Sequence, residues 1–439
     1  MSRLCTSRIR RFLYGQSGSM TIFGMFIFVS GLMLTGLAID YGNLVKSRTV
    51  QQVDVDSVAH TALVKRELNT PAVAIQDAVA VAGANLPTNK YGNTIGTSDV
   101  VFGNWDANTR TFTPSSNSRQ AVSVTAQQDA IRANPIPTFL LQLVGTTSWD
   151  LTTRAVYTTY YPACLTEGFV AQGPVNIASN DSYFNDFCIH SQTYVSLSSN
   201  NSFASGTSVS MPDLTQLVLP ASGYQTNIGL QAALQQISYN IRILPMLPTI
   251  ISELAAGNSD YVPTYVTSTT PIILSTKKAL AQTDLPPGHL FSATCSSGNG
   301  TLSISNSVTL SKVAITTNCD VKFGNGDIMQ DAVIATTATD SKSFTGTAGI
   351  QLGLNDNCAT GGGAQLLTLG GVTFPSALSL FGGQIVAERD INFAANANGI
   401  QGASLISGGQ ITGTSNMNMG NCNNGMEENF RAEYFRLAY

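Results

Sequence analysis

VNIASNDSY (Val175–Tyr183) and VSLSSNNSF (Val195–Phe203) match position for position at an offset of twenty residues. INFAANAN (Ile391–Asn398) and ITGTSNMN (Ile411–Asn418) do the same at the same offset, and LSISN (Leu302–Asn306) with VKFGN (Val321–Asn325) makes a looser pair at nineteen. Each unit alternates like a short strand with one face inward, then runs into an Asn-rich corner. A period near twenty, strand then Asn or Gly, suits one coil of a parallel β-helix, where stacked coils bury each other's apolar face. Asn tolerates the left-handed backbone of such corners, and stacked Asn side chains can hydrogen-bond from coil to coil. The expected architecture for residues 164–439 is mainly β, a right-handed parallel β-helix or solenoid. A β-sandwich is the alternative, although N-G and D-G hairpin turns are few.

An apolar segment interrupts the repeats near residues 226–257. Leu230, Leu234, Ile237, Ile241 and Leu244 recur at helical spacing. Pro245 is expected to end that helix, Pro248 to start a short second one and Gly257 to close it. The apolar stripe is expected to pack on the side of the solenoid or to cap its end.

The front of the chain has a different character. MTIFGMFIFVSGLMLTGLAI, Met20 to Ile39, carries no charge over twenty residues. At helical rise that spans about 30 Å, one bilayer core. Arg3, Arg8, Arg10 and Arg11 precede it, against Lys46 and Arg48 beyond, which predicts a cytoplasmic N-terminus and an exported bulk. The run exceeds a signal-peptide core and no A-x-A cleavage site follows, so a retained anchor is expected. Gly31 and Thr35 form a small-xxx-small step beside Gly36, a candidate surface for helix association in the membrane. No breaker follows until about Leu68, where Thr70 and Pro71 cap and start an alanine-rich second helix. VVFGNWDANTRTFTP then reads as two strands about an Asp106-Ala-Asn turn, and AVSVTAQQ as a third. NPIPTFLLQLVG reads as a short helix introduced by Pro135 and Pro137 and closed by Gly145, and WDLTTRAVYTTYY as a last strand. The expected organisation is a basic segment (1–19), a transmembrane helix (20–39), a helical stem (40–97), a small α/β module (98–163) and the solenoid (164–439).

These N-terminal residues resemble the TadE/TadG-like proteins of the Flp (tight-adherence, Tad) pilus machinery. The stem counterparts are Gly18, an Ile39-Asp40-Tyr41-Gly42 turn at the end of the membrane helix, and Gln52 with Asp56. In the module they are Gly103, Trp105, Phe112, Pro114, Pro135, Pro137 and Phe139. Pilin-like members carry a Glu five residues after the cleavage Gly, where this chain has Phe23, so the resemblance points to the unprocessed, TadG-like branch. It covers about the first 165 residues. It implies a non-enzymatic scaffold or minor subunit of a pilus assembly or secretion apparatus in the bacterial inner membrane. The chain would pass the membrane once, with its bulk periplasmic or extracellular. The implied partners are TadE-like pseudopilins and the pilin.

Composition narrows the chemistry. Charged residues are 11% of the chain, under half the usual share of about 25%. A net charge of -4 leaves no basic footprint for nucleic acid. Cys5 lies on the expected cytoplasmic side, whereas Cys164, Cys188, Cys295, Cys319, Cys358 and Cys422 are exported, where disulfides form. The equal gaps from Cys164 to Cys188 and from Cys295 to Cys319 favour two local bridges and would leave Cys358 with Cys422. No C-x-x-C occurs and the histidines are His60, His190 and His289 alone, so neither zinc nor another cofactor is expected. Hydrolase, P-loop, zincin and EF-hand signatures are absent. A polysaccharide lyase would have to draw on Asp327, Asp331, Glu388, Arg389 and Asp390, which otherwise read as solvated edge charges. A cell-surface adhesin is the stronger alternative, with hydroxyl and amide rows and Tyr/Phe rings offered to a surface glycan.

Overall fold

A computed structural model describes residues 18–296, 300–413 and 416–438. The basic segment with Arg3, Arg8, Arg10, Arg11 and Cys5 lies outside these, as do Thr414 and Ser415 of the fourth repeat. The chain forms two units. One comprises residues 1–160 with 433–439, and the other residues 161–432.

The first unit is built on α1 (Gly18–Arg66), a single 49-residue helix about 73 Å long. Most of its side chains from Met20 to Ile39 are exposed. Further along, Val55, Val58, Ala59, Ala62 and Leu63 recur at helical spacing and are buried. They pack with Ala74, Ala78 and Ala82 of α2 (Pro71–Asn85), whose N-cap is Thr70 and whose first residue is Pro71. The same core takes Val100 and Phe102 from β1 (Val100–Asp106) and Val122, Val124 and Ala126 from β3 (Ala121–Gln128). With β2 (Thr111–Pro114) and β6 (Leu151–Tyr160) these strands make an antiparallel sheet in the order β2, β1, β3, β6. A fifth strand, Tyr434–Leu437, completes it, with Tyr434 opposite Tyr160. The chain's last residues thus belong to this unit rather than to the 164–439 segment.

Two local expectations are corrected here. Ile39 to Gly42 is no turn: α1 runs straight through it. A mid-helix Gly costs about 1 kcal/mol relative to Ala but does not end a helix by itself. The segment from Pro135 to Gly145 is not a regular helix. It forms a two-residue ladder, β4 (Ile136–Pro137) with β5 (Ser148–Trp149), and one 3-10 turn, Leu141–Val144, closed by Gly145 at φ 94°. Each proline removes an amide and holds the residue before it extended, so helix can begin only late and Gly145 stops it at once.

The second unit is dominated by a 22-stranded sheet. Its pairings among the described residues are parallel, unlike the hairpins of a sandwich. Val175 pairs with Val195, Ile391 with Ile411 and Leu302 with Val321, so the repeats sit directly beside one another. One file of partners runs Leu234, Val209, Ile189, Phe169, Leu405, Ile385, Leu366, Ile334, Ile315, Phe291, Ile272. The chain therefore enters in the middle of the stack at Gly168 and moves outward to Gln236. It restarts at the opposite end near Ser268 and returns to lie against its own first rung. The interior is aliphatic and aromatic, with Phe169, Tyr183, Phe187, Phe291, Phe323, Phe344 and Phe374 fully buried.

Between the two ends runs the helix Ile243–Ala255, which buries Ile243, Leu244, Leu247, Ile250, Ile251 and Leu254. It packs along the strands Thr309–Thr317, Ala364–Thr368 and Val372–Ala387. Its position corrects the expected helix over 230–244. There, Leu230–Ala233 makes a single turn and Leu234–Gln236 is a strand on Val209–Met211. Edge pairing outweighs the helical periodicity of that stretch. Pro245 sits in the first turn of the later helix, where its missing amide would go unbonded anyway.

Candidate functional site

The residues that stand out in the first unit converge where α1 leaves its apolar half. The Asp40 carboxylate accepts hydrogen bonds from the backbone N–H groups of Phe139 (2.7 Å), Leu140 (3.0 Å) and Leu141 (2.8 Å). One turn earlier, Gly36 faces Leu140 so closely that a Cβ there would lie 2.8 Å from the Leu140 Cβ. Gly36 thus serves a contact inside the chain. Thr35 Oγ1 donates to the Gly31 carbonyl at 2.8 Å, and the Gly31 face is open. Tyr41 meets Trp149 edge to face at 6.4 Å.

Higher on α1, Gln52 Nε2 donates to Asp56 Oδ1 (2.9 Å) and to the Arg154 carbonyl (3.3 Å), tying the helix to β6. Gly103 lies opposite Pro114, with the Phe112 ring folded over it so that an added Cβ would sit 2.6 Å from Phe112 Cζ. The Trp105 amide donates to Gln120 Oε1 at 2.9 Å. The Arg154 guanidinium lies 5.8 Å from the Phe112 centroid while its Nε donates to Ser123 Oγ. Pro135 precedes the β4–β5 ladder, and Pro137 is paired with Ser148 within it. Gly18 opens the described helix, and Gly42 faces open space. Most of the motif residues are thus joints that fasten hairpin, helix and sheet together.

Two features had no signal in the sequence. Arg132 holds Asp99 through Nη2–Oδ1 (2.7 Å) and Nη1–Oδ2 (2.9 Å), a fork joining residues far apart in the chain. A recess of about 550 Å³ lies between α1 and the 133–139 segment, lined among others by Lys46, Val50, Gln51, Lys90, Asn134 and Phe139. The buried side-chain amide of Gln51 has no hydrogen-bond partner among the described residues.

In the second unit, disulfides join Cys164 to Cys188, Cys295 to Cys319 and Cys358 to Cys422, with Cα separations of 5.1, 5.5 and 5.4 Å. Asp327 is no solvated edge charge. It is fully buried and accepts the amides of Val308 (3.0 Å) and Gly324 (2.7 Å). Burial raises its pKa, and those amide bonds oppose the rise. Asp331 accepts the Gly362 amide (2.7 Å) and Asp390 that of Gln410 (3.0 Å), each at its own corner. Among the described residues no three His, Cys, Asp or Glu side chains form a metal-binding group.

Comparison with protein families follows the same division. Residues 59–156, from the upper part of α1 to β6, match the family model described as Tad-like Flp pilus-assembly, so this part of the chain is similar to that family. Residues 168–423, more than half of the chain, match the domain of unknown function DUF7867, and the chain belongs to that family. No curated protein and no solved structure gave a match.

Proposed function

We propose that this protein is a TadG-like, membrane-anchored scaffold or minor subunit of a Tad/Flp-type pilus assembly or secretion apparatus, acting by binding and assembly without covalent chemistry. The observation that carries this reading is the position of the pilus-assembly match, on a helix whose other half is a long, exposed, apolar candidate membrane anchor. On this reading α1 crosses the inner membrane once, with the N-terminus cytoplasmic. The three disulfides suit the oxidising compartment beyond. The parallel sheet with its period near twenty is a β-helix, and TadE-like pseudopilins and the pilin are the partners of the anchored module. The adhesin reading draws on the exposed Asn corners that repeat along the sheet at Asn180, Asn200 and Asn416. The lyase reading has little left to use, since its acidic residues cap separate turns.

Electron microscopy of cells lacking the chain tests this. Loss of pili, restored by the full chain, is expected. A form with 161–432 replaced by a short linker separates the two roles: assembled pili that no longer attach favour the adhesin, and absent pili favour the scaffold. Normal pili in cells without the chain would refute the scaffold, and normal pili that also attach normally would refute both.

A further inference from the structure

The segment that Asp40 captures is not an ordinary surface loop. Leu140 lies against Gly36, and Gly36 is inside the apolar run of α1, one turn below Ile39. If that run spans a bilayer, the residue touching Gly36 is at bilayer depth as well. Three large apolar side chains near Leu140 are open. Phe139 is 56% exposed, Leu143 81% and Val144 50%. A soluble loop of this kind would leave its backbone to water, whereas in a bilayer each amide needs an internal partner. Here the amides of Phe139, Leu140 and Leu141 bond to Asp40, Thr138 bonds to Thr147, and Leu143, Gly145 and Thr146 bond back to Leu140, Gln142 and Leu141. Side chains take up two of the carbonyls, Gln142 Nε2 on Phe139 and Thr138 Oγ1 on Thr146. Tyr41 and Trp149 lie together beside this segment, the residue types that collect where lipid meets water.

We infer that residues 138–146 dip into the outer interface of the same bilayer that α1 crosses, giving the protein a second, monotopic lipid contact. The ligand is the acyl and headgroup boundary of a phospholipid bilayer. Phe139, Leu143 and Val144 enter it, while Asp40 and Gly36 hold the segment at its depth. Two contacts fix the tilt and rotation of α1, which a lone span leaves free. The inference rests on the reading of Met20–Ile39 as membrane-spanning, and the test separates the two.

The full chain with Cys5→Ser is reconstituted in phosphatidylcholine/phosphatidylglycerol nanodiscs and spin-labelled at one added cysteine at a time. Leu143→Cys reports the segment, Leu32→Cys the span, and Leu68→Cys the aqueous side just past the end of α1, about 40 Å beyond Ile39. Collision with oxygen, which partitions into lipid, is compared with collision with a water-soluble nickel chelate. The expected oxygen-to-nickel ratio at Leu143 is several-fold above that at Leu68 and approaches that at Leu32. A ratio at Leu143 equal to that at Leu68, with Leu32 in lipid, overturns the second contact and leaves the span standing. An aqueous ratio at Leu32 overturns the span and the inference with it.

Discussion

Asn180, Asn200 and Asn416 occupy one corner in three neighbouring rungs, with φ of 65°, 64° and 67° and exposed side chains. The Asn180 amide bonds to the Ser199 carbonyl and the Asn416 amide to that of Ser179, so the column is also stitched along the stack. A residue with an unhelpful Cβ in this conformation costs about 1–2 kcal/mol, whereas Gly does not. Asn200→Ala should therefore lower unfolding stability by about 1 kcal/mol and Asn200→Gly should not, a contrast that urea titration of the two variants checks. The next position inward is a buried polar ladder: Asp181 accepts the Met417 amide, Asn201 accepts the Asp181 amide, and Asn201 donates to Asn227. Burial pushes the Asp181 carboxyl up to about 7, against its amide hydrogen bonds. The folded chain then holds a proton that the unfolded chain releases near pH 4. That contribution to stability is complete below about pH 4 and is lost as pH rises through 7. Asp181→Asn keeps the acceptor and removes the charge. It should gain roughly 1–4 kcal/mol over the parent at pH 8 and little at pH 4. His190, buried with Nδ1 on Ser210 Oγ and pushed down to about 4 by burial, slopes the other way between pH 6.5 and 4, so parent and variant are compared at matched pH. The corner Asn residues were readable from the repeat itself, because a left-handed position selects its residue type. The burial of Asp181 was not, because nothing local marks which face of a corner turns inward.

Among the elements, α1 with α2 and the strand order of the module follow from signals that are local: a long run without breakers, Pro71 after Thr70, and alternation about the Asp106 turn. The helix Ile243–Ala255 was misplaced because Leu230 to Leu244 has helical spacing, yet Leu234–Gln236 finds an open edge at Val209–Met211. Propensity yields to pairing when an edge is available. The 3-10 turn after Pro137 depends on Asp40, about a hundred residues earlier, and no local pattern shows that partner. Asp40→Ala removes the acceptor shared by three amides, so hydrogen exchange at Phe139, Leu140 and Leu141 should accelerate strongly. Exchange in Ile243–Ala255 of the same protein should stay as in the parent. Equal protection of residues 139–141 in both proteins would show that Asp40 does not hold the segment. The Cys164–Cys188 and Cys295–Cys319 bridges each close 24 residues. A loop of that size contributes about 3 kcal/mol in the chain-entropy model.

At the scale of the whole chain, the larger unit is an insertion. The chain leaves the module's sheet at Tyr160 and returns at Glu433 to lay Tyr434–Leu437 on β6. Neither this return nor the stacking of Ile411 on Val175 could be seen from a period of twenty, since a repeat identifies its neighbours in sequence and not the distant rung that closes the stack. Deleting residues 433–438 should expose the β6 edge and lower the melting temperature of the module while leaving the three disulfides formed. Two transitions in calorimetry, with the first one shifted, would show it, and an unshifted thermogram would remove the strand from the account. The proposed role as a membrane-anchored pilus-assembly component is tested most directly by what touches the stem. A photo-crosslinking amino acid at Val50, exposed on α1 and lining the recess, is activated in piliated cells and the adducts are identified by mass spectrometry. Adducts with Tad/Flp pilus-assembly proteins of the membrane are expected. Efficient crosslinking solely to proteins outside that machinery would contradict the proposed role.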